Sequence, residues 1–575
     1  MRGETLTLLF LLGCSRVETN LPCAPGEQRS CSCPDGFGAV QVCDAEGTAF
    51  GACACGTGTA NSATSSNTGS GADGGGGSGP CTPGEVVACY TGPSGTQDVG
   101  ICQAGTATCQ PDGTPGTCDG EVVPGSEDCQ TPEDENCDGA TPACEPPWSL
   151  SFTTNADYAP GFLATDSAGN VYLAGTFTGS LDFGGGPLNA VGTADIFVAK
   201  FTGAGAPVWS KAFGEPLDPL FLTGMDVDIN GNIALAGIFY EQLDLGGGML
   251  STDTSAAFVA MLDTDGDHVW SAAAEGNVSW ALPIAFDVQG NVTYGALFSG
   301  SIFFGGADVH MGSGTAFARF SNTGTFLASE GYADCSPNST PVGLDVAPNG
   351  DIRFMVRAPY NGGCDWGGGP VPPGPGIGVA GLGSDFSASY SDVFSGVNID
   401  APYSVASGPN GEVALTVTSG GPVNFAGTVV DSGSTAQTGL LAVLEPTGEL
   451  RYGKYFEGVA NSAGTRLARP QFTAATGEVA VHGSMFAASV IGGSTLTPIG
   501  TRDSLLIQLS PTGAVTGSNQ YGAPGVETEG WTMAMASGGL ILAGRYSGGP
   551  GGPDFGQGPL PGAGEFRGFL ALVQL

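Results

Sequence analysis

The chain has 575 residues, of which 100 are glycine and only 12% are charged. This composition favours short strands and turns over helices. The 15 basic and 55 acidic side chains give a formal net charge of −40, which repels nucleic acid and anionic lipid headgroups and argues against a nucleic-acid-binding function. The length requires either several domains or a repeat architecture.

The N-terminal residues "MRGETLTLLFLLGCSR" predict a signal peptide over residues 1–13, because the apolar run Leu6–Leu12 is too short to span a bilayer. Leu11-Leu12-Gly13-Cys14 resembles the lipobox of bacterial lipoproteins. The resemblance implies that the Cys14 thiol receives a diacylglycerol and anchors the protein to a membrane. Ser15, in place of an aspartate, implies the outer membrane. The alternative is an ordinary secretory signal with a chance cysteine.

The other sixteen cysteines form an even set, as a disulfide framework in an oxidising compartment requires. Two clusters and an isolated pair contain them all. They are Cys23, Cys31, Cys33, Cys43, Cys53 and Cys55, then Cys81, Cys89, Cys102, Cys109, Cys118, Cys129, Cys137 and Cys144, and finally Cys335 and Cys364. Each cluster can close internally, but the sequence does not tell which cysteine pairs with which.

The two clusters predict two small Cys-rich modules joined by a flexible linker. Module 1 spans residues 14–55 and the acidic module 2 spans residues 81–145. Both begin alike, with "CAPGEQRSC" and "CTPGEVVAC". Residues 56–80 between them are almost entirely Gly, Ser, Thr, Ala and Asn, as in a flexible coil.

Within module 2, "EDCQTPEDENCDG" resembles a metal-binding motif of secreted bacterial proteins, with a core like C-D-x-x-D-x-D-C-D-G. The resemblance implies a metal site at Glu133, Asp134, Glu135 and Asp138. Ca²⁺ suits such carboxylate oxygens. Several aspartates of the motif are replaced here, and the alternative is a solvated acidic turn between two disulfides.

From Trp148 onward the sequence repeats about every sixty residues. The segment "DSAGNVYLAGTF" recurs in seven units. Their turn glycines are Gly169, Gly231, Gly290, Gly350, Gly411, Gly477 and Gly538. A second phrase, "LDFGGGPL" at 181–188, recurs in phase. It could suggest a phosphate loop, but no P-loop lysine follows it, and its recurrence indicates a structural hairpin.

Each unit has four strand-like runs, which in the first unit are "GFLATDS", "NVYLAGTF", "DIFVAKFT" and "PVWSKAFG". The alternation in "DIFVAKF" predicts a half-exposed strand. Four antiparallel strands repeated seven times describe a β-propeller. The phrases "GNVYLAG", "DFGGG" and "DIFVAKF" also resemble the bacterial seven-bladed β-propeller repeat family.

The predicted fold is therefore all-β, a seven-bladed β-propeller over residues 146–575, preceded by the disulfide-rich modules and the linker. The last unit lacks a fourth strand, whereas "PPWSLSF" at 146–152 is an orphan one, and Trp148, Trp209 and Trp270 recur every 61 residues. We expect residues 148–152 to complete the last blade and close the ring. The alternative is an open solenoid.

Recognition is expected on the face that carries the long second loop of each unit, and in the axial channel. The candidate ligand-face residues are Asp182, Asp244, Asp365, Trp366, Trp280 and Asp554. The alternative for each is a packing or turn residue. No catalytic residue is identified: His268, His310 and His482 occupy different positions in their units, and "DTDGDH" at 263–268 fits a hairpin turn better than a calcium loop.

These features predict an outer-membrane lipoprotein that presents the propeller as a non-enzymatic binding or scaffold module for an extracellular protein or glycan. One alternative is an extracytoplasmic enzyme acting on a glycan or peptide at the axial cleft, and another is a calcium-dependent adhesin. A channel mouth lined by His, Glu and Arg would favour the enzyme, and one lined by Gly, Asn and Thr would favour binding.

A single substitution tests the lipid attachment that the lipobox resemblance implies. Cys14→Ala removes the only thiol that the motif offers for diacylglycerol transfer, so we expect incorporation of radiolabelled fatty acid into the protein to be lost. Cys23→Ala serves as the matched control and should retain the label. Labelling that persists in Cys14→Ala would contradict the lipoprotein assignment.

Overall fold

The computed structural model describes most of the repeat region and parts of the Cys-rich modules. The described residues are 28–32, 38–42, 81–90, 96–111, 116, 118–123, 134, 137, 146–154, 158–216, 219–306, 309–333, 341–347, 350–358, 365–366, 376–396, 399–473, 477–536 and 538–574. The chain divides into two units, Met1–Gly74 and Gly75–Leu575. In the first, β1 (Gln28–Ser32) and β2 (Gly38–Val42) form an antiparallel hairpin.

In module 2, β3 (Val86–Cys89) and β4 (Gly105–Thr108) form an antiparallel pair that disulfides surround. The bonds are Cys81–Cys109, Cys89–Cys118 and Cys102–Cys137. The prediction that this cluster closes internally is confirmed for these six cysteines. Cys129 and Cys144, all the cysteines of module 1 except Cys31, and Cys335 and Cys364 lie outside the described residues.

In the described residues of the repeat region, the regular elements are β-strands and one short 3-10 helix at Val459–Asn461. Its first strands are β5 (Trp148–Thr154), β6 (Tyr158–Thr165), β7 (Val171–Phe177), β8 (Ser180–Asp182), β9 (Pro187–Asn189), β10 (Asp195–Phe201), β11 (Pro207–Phe213), β12 (Phe221–Val227), β13 (Ile233–Asp244), β14 (Met249–Leu262) and β15 (His268–Ala273). Then follow β16 (Glu275–Phe286), β17 (Val292–Phe303), β18 (Val309–Phe320), β19 (Phe326–Ala333), β20 (Pro341–Val346), β21 (Ile352–Ala358), β22 (Gly376–Leu382) and β23 (Ala388–Gly396). The last are β24 (Ile399–Ser407), β25 (Val413–Ser419), β26 (Val423–Phe425), β27 (Thr428–Val430), β28 (Thr438–Leu444), β29 (Leu450–Phe456), β30 (Thr465–Phe472), β31 (Val479–Met485), β32 (Ser489–Ile491), β33 (Ser494–Leu496), β34 (Asp503–Leu509), β35 (Val515–Tyr521), β36 (Glu527–Ala536), β37 (Gly539–Asp554) and β38 (Pro559–Val573).

These strands form antiparallel sheets that radiate from a central axis, so the fold is a β-propeller. We name the sheets by their strands from the axis outward: sheet A is β6-β7-β10-β11, B is β12-β13-β14-β15, C is β16-β17-β18-β19, D is β20-β21-β22-β23-β26-β27, E is β24-β25-β28-β29, F is β30-β31-β34-β35, and G is β36-β37-β38-β5-β8-β9. The inner strand of each sheet contacts the inner strand of the next, and β36 contacts β6.

The prediction of seven like four-stranded blades is wrong in that form and has to be corrected. Sheets D and G have six strands each, whereas the other five sheets have four. The extra strands are glycine-rich hairpins that cross from their own repeat unit to the outer edge of the preceding sheet: β8–β9 pairs with β5, and β26–β27 pairs with β23. An edge strand exposes unpaired backbone groups, which the hairpin satisfies. One repeat unit of the sequence therefore does not correspond to one sheet, because its hairpin can belong to the preceding sheet.

The chain termini of the repeat region meet in sheet G. β5 pairs with β38 over six residues, with Ser149 opposite Ala571 and Trp148 opposite Leu572. The prediction that residues 148–152 add to the outer edge of the last sheet is confirmed. Phe152 also packs against Phe183 and Phe201 of the first unit, with ring centroids 4.9 and 5.7 Å apart. The N-terminal strand therefore joins the first and last parts of the ring.

An aromatic side chain on the outer strand of several sheets packs against a turn of the next sheet. The indole N–H of Trp148 donates to the carbonyl of Gly203 at 2.7 Å, and the ring lies so close to Gly205 that a Cβ there would be 2.7 Å from it. Trp209 and Trp270 donate in the same way to Thr264 and Asn322. The 61-residue period of the three tryptophans is thus the period of a contact between neighbouring sheets.

The hydrophobic core lies between sheets, because each sheet is covered on both faces by its neighbours. All seven residues of β10 are buried, including both faces of "DIFVAKF". The prediction that this strand is half-exposed is therefore wrong. Its alternation reflects two different buried faces, one packed within the cluster of sheets G and A and one within that of sheets A and B.

We expect Trp148→Ala to lower the free energy of unfolding by about 2–3 kcal/mol, since a packed indole and its hydrogen bond to Gly203 are lost. Trp280→Ala is the matched control, because Trp280 is 41% exposed and its loss should cost little. Urea unfolding measures both. Equal unfolding midpoints for the two variants would contradict a role of Trp148 in closing the ring.

Candidate functional site

Three of the predicted ligand-face aspartates are turn residues. The Asp182 carboxylate accepts hydrogen bonds from the backbone N–H groups of Gly184 and Gly186, at 2.8 and 3.2 Å. Asp244 and Asp554 accept the equivalent bonds in their own glycine phrases. Gly184 and Gly186 have φ angles of 103° and 112°, which favour glycine. The phrase "LDFGGGPL" is therefore a hairpin, as predicted, and its aspartate stabilises the turn.

The prediction that Trp366 lines a ligand surface is wrong. Trp366 is fully buried, and its ring packs at 5.5 Å from Phe354 within the core of sheets C and D. Its neighbour Asp365 is exposed, and so is Trp280 on β16. The structure therefore leaves Asp365 and Trp280 at the surface and does not gather the six candidates into one site.

The sequence-predicted metal and histidine positions also do not form a site in the described residues. Asp134 is 8% exposed, whereas Glu133, Glu135 and Asp138 lie outside the described residues, so the metal site stays a prediction. Among the residues that the structure describes, no three His, Cys, Asp or Glu side chains are placed to hold a metal ion. In "DTDGDH" the Asp263 carboxylate accepts from the N–H groups of Asp265 and Asp267, as in an ordinary turn.

The inner strands enclose a narrow axial channel of about 160 Å³. Two successive residues of each inner strand line it: Gly161 and Phe162, Gly224 and Met225, Pro283 and Ile284, Gly343 and Leu344, Ser404 and Val405, Ala468 and Arg469, and Trp531 and Thr532. Small and apolar residues dominate, so the channel is narrow and mostly neutral. Arg469 is the one ionisable residue among those lining residues.

Two aspartates bridge neighbouring inner strands close to this channel. Asp226 on β12 accepts a hydrogen bond from the Phe286 N–H of β16 at 2.8 Å, and Asp345 on β20 accepts one from the Ser407 N–H of β24. Burial raises the pKa of Asp226 to about 6, and the negative charge of Asp345 adds to this, while Arg469 opposes it. Burial likewise raises the pKa of Asp345. The two carboxyls accept hydrogen bonds from N–H groups on the edges of neighbouring inner strands, but their desolvation makes the charged form unfavourable.

A wider pocket of about 390 Å³ lies between sheets F and G beside the channel. We call it the mouth pocket. Its lining residues are Gly161, Arg466, Leu467, Ala468, Ser484, Phe486, Arg502, Glu529, Gly530, Trp531 and Arg545. Three of them also line the channel. Arg502 directly precedes β34, in the second loop of its unit, so the pocket lies on the predicted recognition face.

Two of the three arginines of the mouth pocket, Arg502 and Arg545, form one ion-pair network with glutamates. Glu529 pairs with both Arg502 and Arg545, the second at 2.7 Å, and Arg502 also pairs with Glu527 at 3.0 Å. Arg545 lies over the ring of Trp531, 4.8 Å from its centroid, and the indole N–H donates to Glu529. The network holds each guanidinium group in place between an acidic and an aromatic partner.

His482 lies directly behind the mouth pocket and not in it. It is fully buried, close behind Gly530. Its Nδ1–H donates to the Thr532 carbonyl at 3.0 Å, so its Nε2 accepts from the Ser504 hydroxyl at 2.8 Å. Burial lowers the pKa of His482 to about 4, with the hydrogen bond to Thr532 opposing this. The imidazole is therefore neutral near pH 7, and both its nitrogens are engaged.

The residues beside the channel and in the mouth pocket were missed because they are departures from the repeat. By strand register, Asp226 and Asp345 occupy positions where four of the other five inner strands have alanine, namely Ala164, Ala285, Ala406 and Ala534. Lysine and arginine number only 15 in the chain, yet Arg466, Arg469, Arg502 and Arg545 fall within 80 residues. This concentration of basic residues was a signal available in the sequence.

No protein-family model matches the chain, and no curated protein does so. Solved structures do match. The β-propeller domain of the Trilobed protease from Pyrococcus furiosus is 8% identical, covers 73% of this chain and 94% of its own, and has a TM-score of 0.37. A polysaccharide lyase of family PL25, an ulvan lyase, is 10% identical over 68% of this chain and 92% of its own, with a TM-score of 0.37. A protein of unknown function from Bacteroides caccae is 11% identical over 56% and 89%, with a TM-score of 0.30. Similarity at this level carries no argument about function.

The Asp226 carboxyl predicts a specific pH dependence of stability. Its folded pKa of about 6 lies above the unfolded value near 4, so the native state binds the extra proton between these pH values and loses stability as the pH rises through them. Asp226→Asn keeps an acceptor for the Phe286 N–H without the charge. We expect the variant to exceed wild type in free energy of unfolding by about 1–2 kcal/mol above pH 7, with the difference vanishing near pH 4.

Urea unfolding between pH 4 and 8 measures this difference. The opposite contribution of His482, whose lowered pKa destabilises the native state as the pH falls from 6.5 to 4, is common to both proteins and cancels. Asp253→Asn, at an exposed carboxyl of β14, is the control and should give a difference that does not change with pH. A pH-independent difference for Asp226→Asn would contradict the assignment.

Proposed function

We propose that the protein is an outer-membrane lipoprotein, anchored by a lipid on Cys14, whose β-propeller is a binding module for an extracellular ligand. The mouth pocket is the ligand site. The Cys-rich modules and the Gly/Ser-rich linker form a stalk between the anchor and the propeller.

The extracytoplasmic part of this proposal is supported by the three disulfides of module 2, because such bonds persist in oxidising compartments. The described residues contain no helix long and apolar enough to cross a membrane. Attachment through Cys14 rests on the lipobox resemblance and on the labelling experiment described above.

The observation that carries the binding function is the mouth pocket itself. It combines a cavity of about 390 Å³ with three arginines and two aromatic side chains, Phe486 and Trp531. Pockets for small molecules range over roughly 300–1,000 Å³ and combine apolar walls with a few fixed polar groups. The ion-pair network holds Arg502 and Arg545 in position before a ligand arrives, which lowers the cost of binding.

An enzyme is the second candidate function, and one observation favours it: three Arg side chains and one Glu side chain converge at the channel mouth, where Gly161 and Gly530 also lie. The described lining of the mouth pocket contains one carboxylate, Glu529, and no histidine that could serve as a general acid or base. The His482 imidazole is buried with both nitrogens engaged, and Glu529 is engaged in ion pairs with Arg502 and Arg545. Binding is therefore the better-supported function.

The test screens the whole chain, produced with Cys14→Ala, against arrays of glycans and of extracellular proteins. Trp531→Ala removes an aromatic wall of the mouth pocket, and we expect it to weaken binding of any captured ligand by at least ~10-fold. Trp280→Ala is the matched control, an exposed tryptophan outside the pocket lining, and should bind as wild type. Melting temperatures of both variants check that they fold.

Two results would contradict the assignment of the site. One is unchanged binding by folded Trp531→Ala, and the other is loss of binding in Trp280→Ala alone, which would place the ligand elsewhere on the recognition face. Turnover of a captured glycan or peptide by wild-type protein would favour the enzyme.

A further inference from the structure

We propose that the mouth pocket binds a small organic acid, in which a carboxylate on a sugar-sized or aromatic ring pairs with Arg502 and Arg545 while the ring contacts the apolar wall. This inference rests on the proposed function, since it names the chemical class of the ligand for the same pocket.

The local charge of the mouth pocket favours an acidic ligand. The protein as a whole carries a formal charge of −40, yet the mouth pocket and its ion pairs contain Arg466, Arg502 and Arg545 against only Glu527 and Glu529. The site is therefore locally positive within a strongly acidic protein, and a ligand with a carboxylate would balance it.

The arginines of the mouth pocket repel one another electrostatically. Burial lowers the pKa of Arg502, and the like charges of Arg466 and Arg545 lower it further, whereas Glu527 opposes this. Holding like charges together in a partly desolvated pocket is unfavourable for the protein alone. A bound anion would remove that unfavourable interaction, so the arrangement suits a charged ligand better than a neutral one.

The geometry of the Arg502 and Arg545 guanidinium groups suits a carboxylate. A guanidinium group presents five N–H donors in a planar fork that matches both oxygens of a carboxylate. Arg502 and Arg545 already share Glu529, and each is also fixed over an aromatic ring, with Arg502 4.4 Å from the centroid of Phe486. Two guanidinium groups fixed in this way form a rigid receptor for a second carboxylate.

The apolar wall and the volume of the mouth pocket limit the size of the ligand. Leu467, Phe486 and Trp531 give the pocket an apolar wall, and its volume of about 390 Å³ lies at the lower end for small-molecule sites. A single ring with a carboxylate, or a terminal acidic unit of a longer chain, fits these limits. Acidic sugars and aromatic acids share this chemistry.

The experiment titrates matched acidic and neutral probes into the whole chain carrying Cys14→Ala, by isothermal titration calorimetry at pH 7 and low salt. D-galacturonate is compared with D-galactose, and benzoate with benzamide, so that the two pairs distinguish an acidic sugar from an aromatic acid. We expect at least one acid to bind, and its neutral counterpart to bind at least ~10-fold more weakly.

Arg545→Gln and Arg502→Gln remove one charge each from the pocket, and we expect each to weaken binding of the acid by at least ~10-fold. Lys211→Gln is the matched control. It also removes one positive charge and one ion pair, but at the outer strand β11, where Lys211 pairs with Asp267. It should bind the acid as wild type. Circular dichroism and melting temperatures check folding, and having two arginine variants keeps the test decisive if one fails to fold.

Three results would overturn the inference. The first is that neither acid binds at a ligand concentration of about 10 mM, which corresponds to the weakest affinities that calorimetry measures. The others are equal binding of an acid and its neutral counterpart, and unchanged binding of the acid by the arginine variants. The array screen separates this inference from the proposed function. Capture of a neutral ligand that depends on Trp531 would leave the binding module standing and reject the organic acid.

Discussion

The contact of Trp148 with the turn of the first repeat unit is the interaction on which the rest of the architecture depends. Sheets of a propeller bury their faces only against one another, so an open end would expose an apolar face. β5 prevents this by pairing with β38 on one edge and with β8 on the other, while its tryptophan packs on Gly205. The strand that comes first in the repeat region thus holds together the parts that come first and last.

Closing the ring creates a second constraint at the axis, where the inner strands turn their unpaired edges toward one another. Asp226 and Asp345 satisfy N–H groups of the next sheet, and Thr165 donates its hydroxyl to the Met535 carbonyl of sheet G. Buried carboxyls are a costly way to do this, as the raised pKa of Asp226 indicates. The narrow channel follows from these short contacts, and the space for a ligand lies at its mouth.

The sequence predicted the propeller, the hairpins and the closing strand because each depends on a periodic signal: the turn glycines, the phrase "LDFGGGPL" and the tryptophans 61 residues apart. It did not predict that hairpins such as β8–β9 would extend the preceding sheet, since a period fixes a local fold but not the sheet that accepts its edge. The candidate ligand residues Asp182, Asp244 and Asp554 failed for a related reason. A residue that recurs in several units serves what those units have in common, which here is a turn.

The same reasoning supports the mouth pocket as the proposed ligand site. A closed ring of similar units has no intrinsic reason to differ at one place, so a function confined to one pocket must be encoded where units depart from their consensus. Sheets F and G bring Arg466, Arg502 and Arg545 together around one pocket, in a chain that has only 15 basic residues. Repulsion among these guanidinium groups is unfavourable for folding, and packing alone would not require it. Residues that cost stability and break a repeat are best explained by what they bind, which is why the mouth pocket, and not the regular glycine hairpins, is the surface to examine for a ligand.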